Sequence, residues 1–197
     1  MPAKDSHDEL GGHSGLEGAV RTLLEEFGVA RDSEVYRNTP HRVARMYEEI
    51  LSGEDGKNEP RITLFKNPGY RDILIVRKMP FYSLCEHHLL PMFGNVSIAY
   101  IPGEKILGLS KFPRIVKFFS SRLQVQERLT KDIADYLFDR LSPQGVFVLI
   151  SARHMCMEMR GARSTGSETV SSAIRGVFDS NPATKEEALN LILEKDV

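Results

Sequence analysis

The sequence has no tryptophan and only two cysteines, Cys85 and Cys156, among 197 residues. One disulfide is a weak stability device for a chain of this size with no visible secretory signal. Metal binding or catalysis in a reducing cytosol is the better use of the two thiols. A charge excess is also missing: 26 basic against 27 acidic residues leave −1. Duplex nucleic-acid binders usually carry a basic excess or stripe, so no nucleic-acid partner is expected. Apolar runs such as residues 146–150 fall far short of the roughly 18 needed to cross a bilayer. No basic start leads into an apolar stretch, so the expectation is a cytoplasmic chain with no membrane partner. Internal repeats and low-complexity tracts are absent as well.

At this length the prior is about one domain, and such a chain buries roughly 70% of its unfolded surface without a disulfide or metal. Residues 1–14 are polar and contain Gly11 and Gly12, so they read as a flexible tail in which His7 and His13 are solvated. Residues 15–197 read as a single domain, with N-terminal helices over about 15–60, a core over about 70–180 and a C-terminal helix over about 183–195.

Periodicity places the elements. Leu16, Val20, Leu23, Leu24 and Phe27 form one helical stripe that stops at Gly28. Thr39 followed by Pro40 reads as a cap with proline at the first helical position, and the helix ends before Gly53. Residues 52–60 read as loop. Strands are expected over 72–79, 94–101, 145–152, 154–162 and 168–178. Between the second and third, Ser110 opens a helix through about Ser121, and Val125, Leu129, Ile133, Leu137 and Leu141 mark another. Thr184 and Glu187 have capping-box spacing before the last helix. The order strand, strand, helix, helix, strand, strand implies an antiparallel α+β domain.

Both cysteines lie beside histidines, in Cys85-Glu86-His87-His88 and in His154-Met155-Cys156. Zinc takes thiolate and imidazole together, and a Cys-x-x-His turn can aim both at one ion. Cys156 lies 68 positions beyond His88, so it must arrive from another element. Three protein ligands leave a catalytic zinc an open position, whereas four close a structural one. Spacing alone does not choose among Cys85, His87, His88, His154 and Cys156. On a strand over 154–162, His154, Cys156, Glu158 and Arg160 would share one face and Met155, Met157 and Met159 the other.

Anion-binding signals are weaker. The run 103–111, GEKILGLSK, is not a P-loop, because no Lys-Ser/Thr pair follows its second glycine directly. It still places Lys111 and Arg114 in the first turn of a helix, where free N–H groups suit a phosphate and the dipole disfavours cations. Arg42 and Arg45, three apart, share a helix face. Gln126 and Glu127 open the second central helix, where a carboxylate is favoured by the dipole and could also accept from paired N–H groups of a ligand.

Together these residues resemble the GTP cyclohydrolase I family. The matching segments are NTPHRVARMY (38–47), FYSLCEHHLLPMFG (81–94), ILGLSKFPRIV (106–116), RLQVQERLT (122–130), HMCMEMRG (154–161) and SSAIRGVF (171–178). The resemblance implies the tunnelling fold: an antiparallel four-stranded sheet with two helices on one face, plus N-terminal helices. It implies Zn2+ held by Cys85, His88 and Cys156, with His87 and His154 handling protons beside it. Glu127 would grip the guanine edge with Gln126 near it. Ser110, Lys111, Arg114 and Arg160 would contact the triphosphate and ribose, and Ser110 would also serve late proton traffic. Arg42 and Arg45 would reach the triphosphate of a neighbouring subunit in a homodecamer of two pentamers. The implied reaction opens the imidazole ring of GTP with a zinc-activated water, releases formate and rearranges the ribose to give 7,8-dihydroneopterin triphosphate.

Two positions depart from the family pattern. Pro113 falls inside the helix that carries Lys111 and Arg114, in the first turn where proline is tolerated. Glu158 stands where an apolar or basic residue is expected, and would pair with Arg160 or a neighbouring cation and weaken triphosphate binding. Rival readings are a non-catalytic homologue, another enzyme of the same fold, or a structural zinc protein. The first would usually have lost one site residue, and none is missing. Among the second, a pyruvoyl-tetrahydropterin synthase would use an all-histidine zinc site and a nitrile reductase a nucleophilic cysteine.

Overall fold

The computed structural model describes residues 14–193, so His7 and His13 lie outside it. It divides into two compact units, one ending at Leu51 and one beginning at Ser52.

The first unit is a pair of packed helices, α1 (Ser14–Glu26) and α2 (Glu34–Ile50). Gly28, at φ 73, takes the left-handed conformation that ends α1. Only Val20 of the α1 stripe is buried; Leu16, Leu23 and Phe27 are exposed. The second helix starts earlier than the Thr39-Pro40 signal implies. Ser33, with extended backbone, accepts from the Tyr36 N–H and is the cap, which leaves Pro40 buried inside the helix. Tyr36 also donates to Glu25 at 2.5 Å, tying the start of α2 to the end of α1. A satisfied cap and this cross-link outweigh the proline's missing N–H.

The second unit holds β1 (Leu64–Lys66), β2 (Leu74–Cys85), β3 (Pro91–Ile101), β4 (Lys105–Leu107), α3 (Lys111–Ser120), β5 (Leu123–Gln124), α4 (Gln126–Leu141), β6 (Gly145–His154), α5 (Met155–Glu158), β7 (Thr169–Gly176), α6 (Val177–Ser180) and α7 (Pro182–Leu193). Strands β2, β3, β6 and β7 form an antiparallel sheet in that spatial order. It has a fifth member not expected from the sequence: β5 adds parallel to the end of β2, pairing Cys85 with Gln124. Strands β1 and β4 make a separate antiparallel pair. This is a mixed α+β architecture.

Alternation along the strands sorts the two faces. Ile98, Tyr100, Val146, Val148 and Ile150 pack with Phe112, Ile115, Leu129, Ile133 and Leu137 of α3 and α4. Ala99, Ile101 and Phe147 pack on the other face with Phe178, Ala188 and Ile192, so α6 and α7 cover that side. Gly94 permits a close approach of β3 to β6, since a Cβ there would meet the Ser151 carbonyl oxygen at 2.0 Å. Pro113 is the third residue of α3, where its N–H would lack a helical acceptor in any case. The last helix is capped by Asn181, whose side chain accepts from the N–H groups of Ala183 and Thr184. With Pro182 at the first position, that cap pre-empts the Thr184–Glu187 box.

The strand expected over 154–162 is not formed. β6 ends at His154 opposite Met92, and the next partner on β3 would be Pro91, which has no N–H to extend the ladder. The chain instead makes one helical turn, α5, followed by residues 159–168 without regular structure. The expected alternation of His154, Cys156, Glu158 and Arg160 on one face therefore does not occur.

Candidate metal centre and active site

The site sits where β2 ends, β6 ends and α4 begins. Cys85 is the buried last residue of β2. The chain turns over Glu86-His87-His88, closed by the N–H groups of His88 and Leu89 donating to the Cys85 carbonyl at 3.3 and 2.8 Å. This turn returns His87 Nδ1 and His88 Nδ1 to 3.9 Å from the Cys85 sulfur. The turn α5 after β6 brings Cys156 to the same place. One ligand atom each from Cys85, His88 and Cys156 lies within 4.8 Å of the others. Zinc–sulfur bonds of about 2.3 Å and zinc–nitrogen bonds of about 2.0 Å put tetrahedral ligands roughly 3.5 Å apart, so a modest contraction fits the ion. Two soft thiolates with one imidazole suit Zn2+ better than the hard cations. Burial, and then the Cys85 thiol beside it, push the Cys156 thiol up.

His154 ends β6, two residues before Cys156. Its Nε2 lies 2.7 Å from Gln126 Oε1. Gln126 is only 2% exposed, and its amide nitrogen donates towards the carbonyls of Ile150 (3.1 Å) and Thr169 (2.9 Å) and the Ser171 hydroxyl (3.0 Å). Backbone carbonyls only accept, so the NH2 must face them and the oxygen must face His154. His154 therefore carries its proton on Nε2 and presents a bare Nδ1 when neutral. Thr130 adds to the network, donating to the Gln126 main-chain carbonyl at 2.6 Å and lying 2.7 Å from the Ser171 hydroxyl. Burial lowers the His154 pKa, and the Glu127 carboxylate opposes that shift. Glu127 itself is exposed in the first turn of α4.

The remaining site residues are less gathered. Ser110 precedes α3 in helical conformation and makes no side-chain cap bond, so the cap expected of it is absent. Arg114 is exposed and Lys111 half-buried in the first turn of α3. Arg160 lies in the segment after α5, where its charge favours the Cys156 thiolate. Arg42 and Arg45 are exposed on α2 in the first unit. Glu158 turns to Arg153 rather than Arg160, bonding Nε at 2.7 Å and Nη2 at 2.5 Å.

Other residues that position the site carry no motif. Arg128 donates to Glu86 at 2.5 Å, Gln124 at 2.9 Å and the Leu123 carbonyl at 2.7 Å, which fastens the His87-His88 turn to α4. Glu86 within CEHH and Arg128 within QERLT are visible in sequence, but their meeting follows only from β5 pairing with β2.

The GTP cyclohydrolase I family model matches residues 16–193. A GTP cyclohydrolase 1 of Aquifex aeolicus is 51% identical over 177 residues, spanning 90% of this chain and 95% of the relative. The chain belongs to the GTP cyclohydrolase I family. GTP cyclohydrolase 1 proteins of Pelotomaculum thermopropionicum (49% identical) and Carboxydothermus hydrogenoformans (46%) likewise match over 90% of this chain and 95% and 93% of their own lengths. Among solved structures, an archaeosine synthase QueF-Like in its apo form covers 56% of this chain and 97% of that one, with TM-score 0.46 and 21% identity. That likeness is too slight to bear on the fold. The GTP cyclohydrolase I match takes in every residue of the metal group and of the Gln126–His154 network.

Proposed function

We propose that this chain is a zinc-dependent GTP cyclohydrolase, acting at the first step of pterin and folate synthesis, which converts GTP to formate and 7,8-dihydroneopterin triphosphate. Family membership supports the hydrolase activity and GTP as substrate. The observation that carries the mechanism is the meeting of Cys85, His88 and Cys156 beside a histidine of fixed tautomer. Zn2+ held by those three residues would supply a Lewis acid that makes hydroxide available near neutral pH.

The chain's own residues would do the rest. Glu127, at the rim beside His154, accepts from the paired N–H groups of the guanine edge. His154, protonated on both nitrogens with its Nε2–H held by Gln126, hands the Nδ1 proton to N7 as the imidazole ring opens and is left as the neutral Nε2–H form. The Gln126 carboxamide is fully engaged inside the chain, so it serves His154 and not the substrate. Ser110, Lys111, Arg114 and Arg160 hold triphosphate and ribose, fixing the reacting carbon over the metal group. His87 and Ser110 move protons as the ribose rearranges.

The antiparallel β2-β3-β6-β7 sheet with α3 and α4 on one face is read as the tunnelling fold. Residues 15–197 are read as one domain. Arg42 and Arg45 would act in a neighbouring subunit of a decamer of two pentamers. No described helix is long and apolar enough to cross a membrane, and we place the enzyme in the cytoplasm. Incubating the zinc-loaded protein with GTP is expected to yield both formate and the dihydropterin triphosphate, and Cys156→Ala is expected to yield neither. Bound GTP without either product would refute the catalytic reading.

A further inference from the structure

Cys156 stands on a helix of four residues, between the last residue of β6 and ten residues without regular structure. An isolated turn is not self-supporting, because helix nucleation is unfavourable. Yet a metal ligand must be held to fractions of an ångström. The turn's internal ties are few: Met159 N–H to the Met155 carbonyl at 3.0 Å and Ser164 N–H to the Met157 carbonyl at 3.0 Å.

The stronger tie is the Glu158 carboxylate, which receives both Nε and Nη2 of Arg153 in a two-bond fork. The Glu158 side chain is 7% exposed and Arg153 42%. Arg153 is anchored in β6, paired with Phe93 on β3, and its guanidinium lies over the Phe93 ring at 5.6 Å. Ser151 of β6 donates to Glu168 at 2.9 Å and fastens the far end of the irregular segment. The fork therefore closes a short loop whose contents are His154, Met155, Cys156 and Met157. Both the imidazole beside the metal group and one of its thiolates lie inside it.

We propose that Arg153 and Glu158 are positioning residues which clamp the Cys156 turn against Cys85 and His88, so that tight retention of the metal depends on their fork. This rests on the reading of those three residues as the metal centre. It also gives Glu158 a role other than weakening triphosphate binding. The guanidinium fork requires a carboxylate partner and a planar donor pair, so neither Gln at 158 nor Lys at 153 is an equal substitute.

The test loads wild type, Arg153→Lys, Glu158→Gln and the double variant with zinc and follows zinc transfer to a chromophoric chelator. Cobalt-loaded samples report thiolate ligation and tetrahedral geometry by absorption. Arg153→Lys keeps charge and bulk and is the variant least at risk of misfolding. Each single variant is expected to release zinc about 10-fold faster or more, as loss of a ligand's supporting partner does. The double variant should be no faster than the worse single one, and the cobalt bands should weaken or shift. Wild-type release and spectra in both single variants, with wild type holding zinc, would overturn the clamp and leave the metal centre standing. Independent, multiplying effects in the double variant would also overturn it. Failure of wild type to hold zinc would overturn the metal centre and the clamp together.

Discussion

Replacing Gln126 with Met keeps the side-chain length and removes the carboxamide. In the wild type that amide serves the buried Ile150 carbonyl and the partly buried Thr169 carbonyl, and accepts from His154. Leaving the buried Ile150 acceptor without this donor costs about 1–3 kcal/mol. A loss of about 2 kcal/mol follows. At about 2–4 °C per kcal/mol for a chain of this size, the melting temperature should fall by about 4–8 °C. The catalytic effect is separate. With no acceptor at Nε2, the imidazole loses its fixed tautomer and orientation, and the proton step loses part of a contribution that is typically about 10²–10⁴-fold. We expect kcat for formate release to fall about 10²-fold, with KM for GTP within about twofold of wild type. Steady-state kinetics on protein shown to be folded by circular dichroism decide the matter. A KM raised tenfold with kcat unchanged would mean that Gln126 touches the substrate, and the positioning argument would fail.

Two further predictions concern stability. Burial, and then the hydrogen bond to Glu59, push the Tyr136 phenol up to about 12 from its ordinary 10. The folded state thus holds this proton when the unfolded state has lost it, so the stabilisation is complete below about pH 10 and is lost as pH rises towards 12. Tyr136→Phe should show a flatter decline over that window in denaturant titrations, and an unchanged slope would refute the assignment. Gly94→Ala places a methyl 2.0 Å from the Ser151 carbonyl oxygen. That contact should force β3 from β6 and destabilise the protein by about 3 kcal/mol or more, measured by thermal melting.

What the sequence disclosed follows physical range. That Cys85, His88 and Cys156 come together was foreshadowed in part, because zinc chemistry restricts residue types and Cys-x-x-His spacing makes a local turn, while the choice among five candidates came from the family resemblance. The α4 stripe was legible because Leu129, Ile133, Leu137 and Leu141 are all buried on one helix face. Errors arose where a local signal met a competing one. The Thr39-Pro40 cap lost to Ser33, which is bound to the Tyr36 N–H, and the Thr184 box lost to Asn181. The strand over 154–162 lost to the absence of an N–H at Pro91. The partners of Gln126, Glu158 and Glu86 were not legible, since they come from strand order and register. The α1 stripe was read correctly as helical, yet most of it is exposed, because periodicity reports which side chains share a face and not what covers that face.

The way the site is assembled accounts for those silent partners. Each chemical residue lies at the end of an element: Cys85 closes β2, His154 closes β6, and Gln126 opens α4. Ends supply free backbone groups and freedom of direction, but little rigidity. Each end is accordingly fastened by a polar tie: Arg128 to Glu86 for the histidine turn, Gln126 to His154 for the imidazole, Arg153 to Glu158 for the Cys156 turn. None of these ties needs a particular sequence spacing, because each crosses between elements that the sheet has already aligned. A motif search therefore finds the ligands and misses the supports. The supports decide whether Cys85, His88 and Cys156, brought by two separate turns, coincide closely enough to suit one ion.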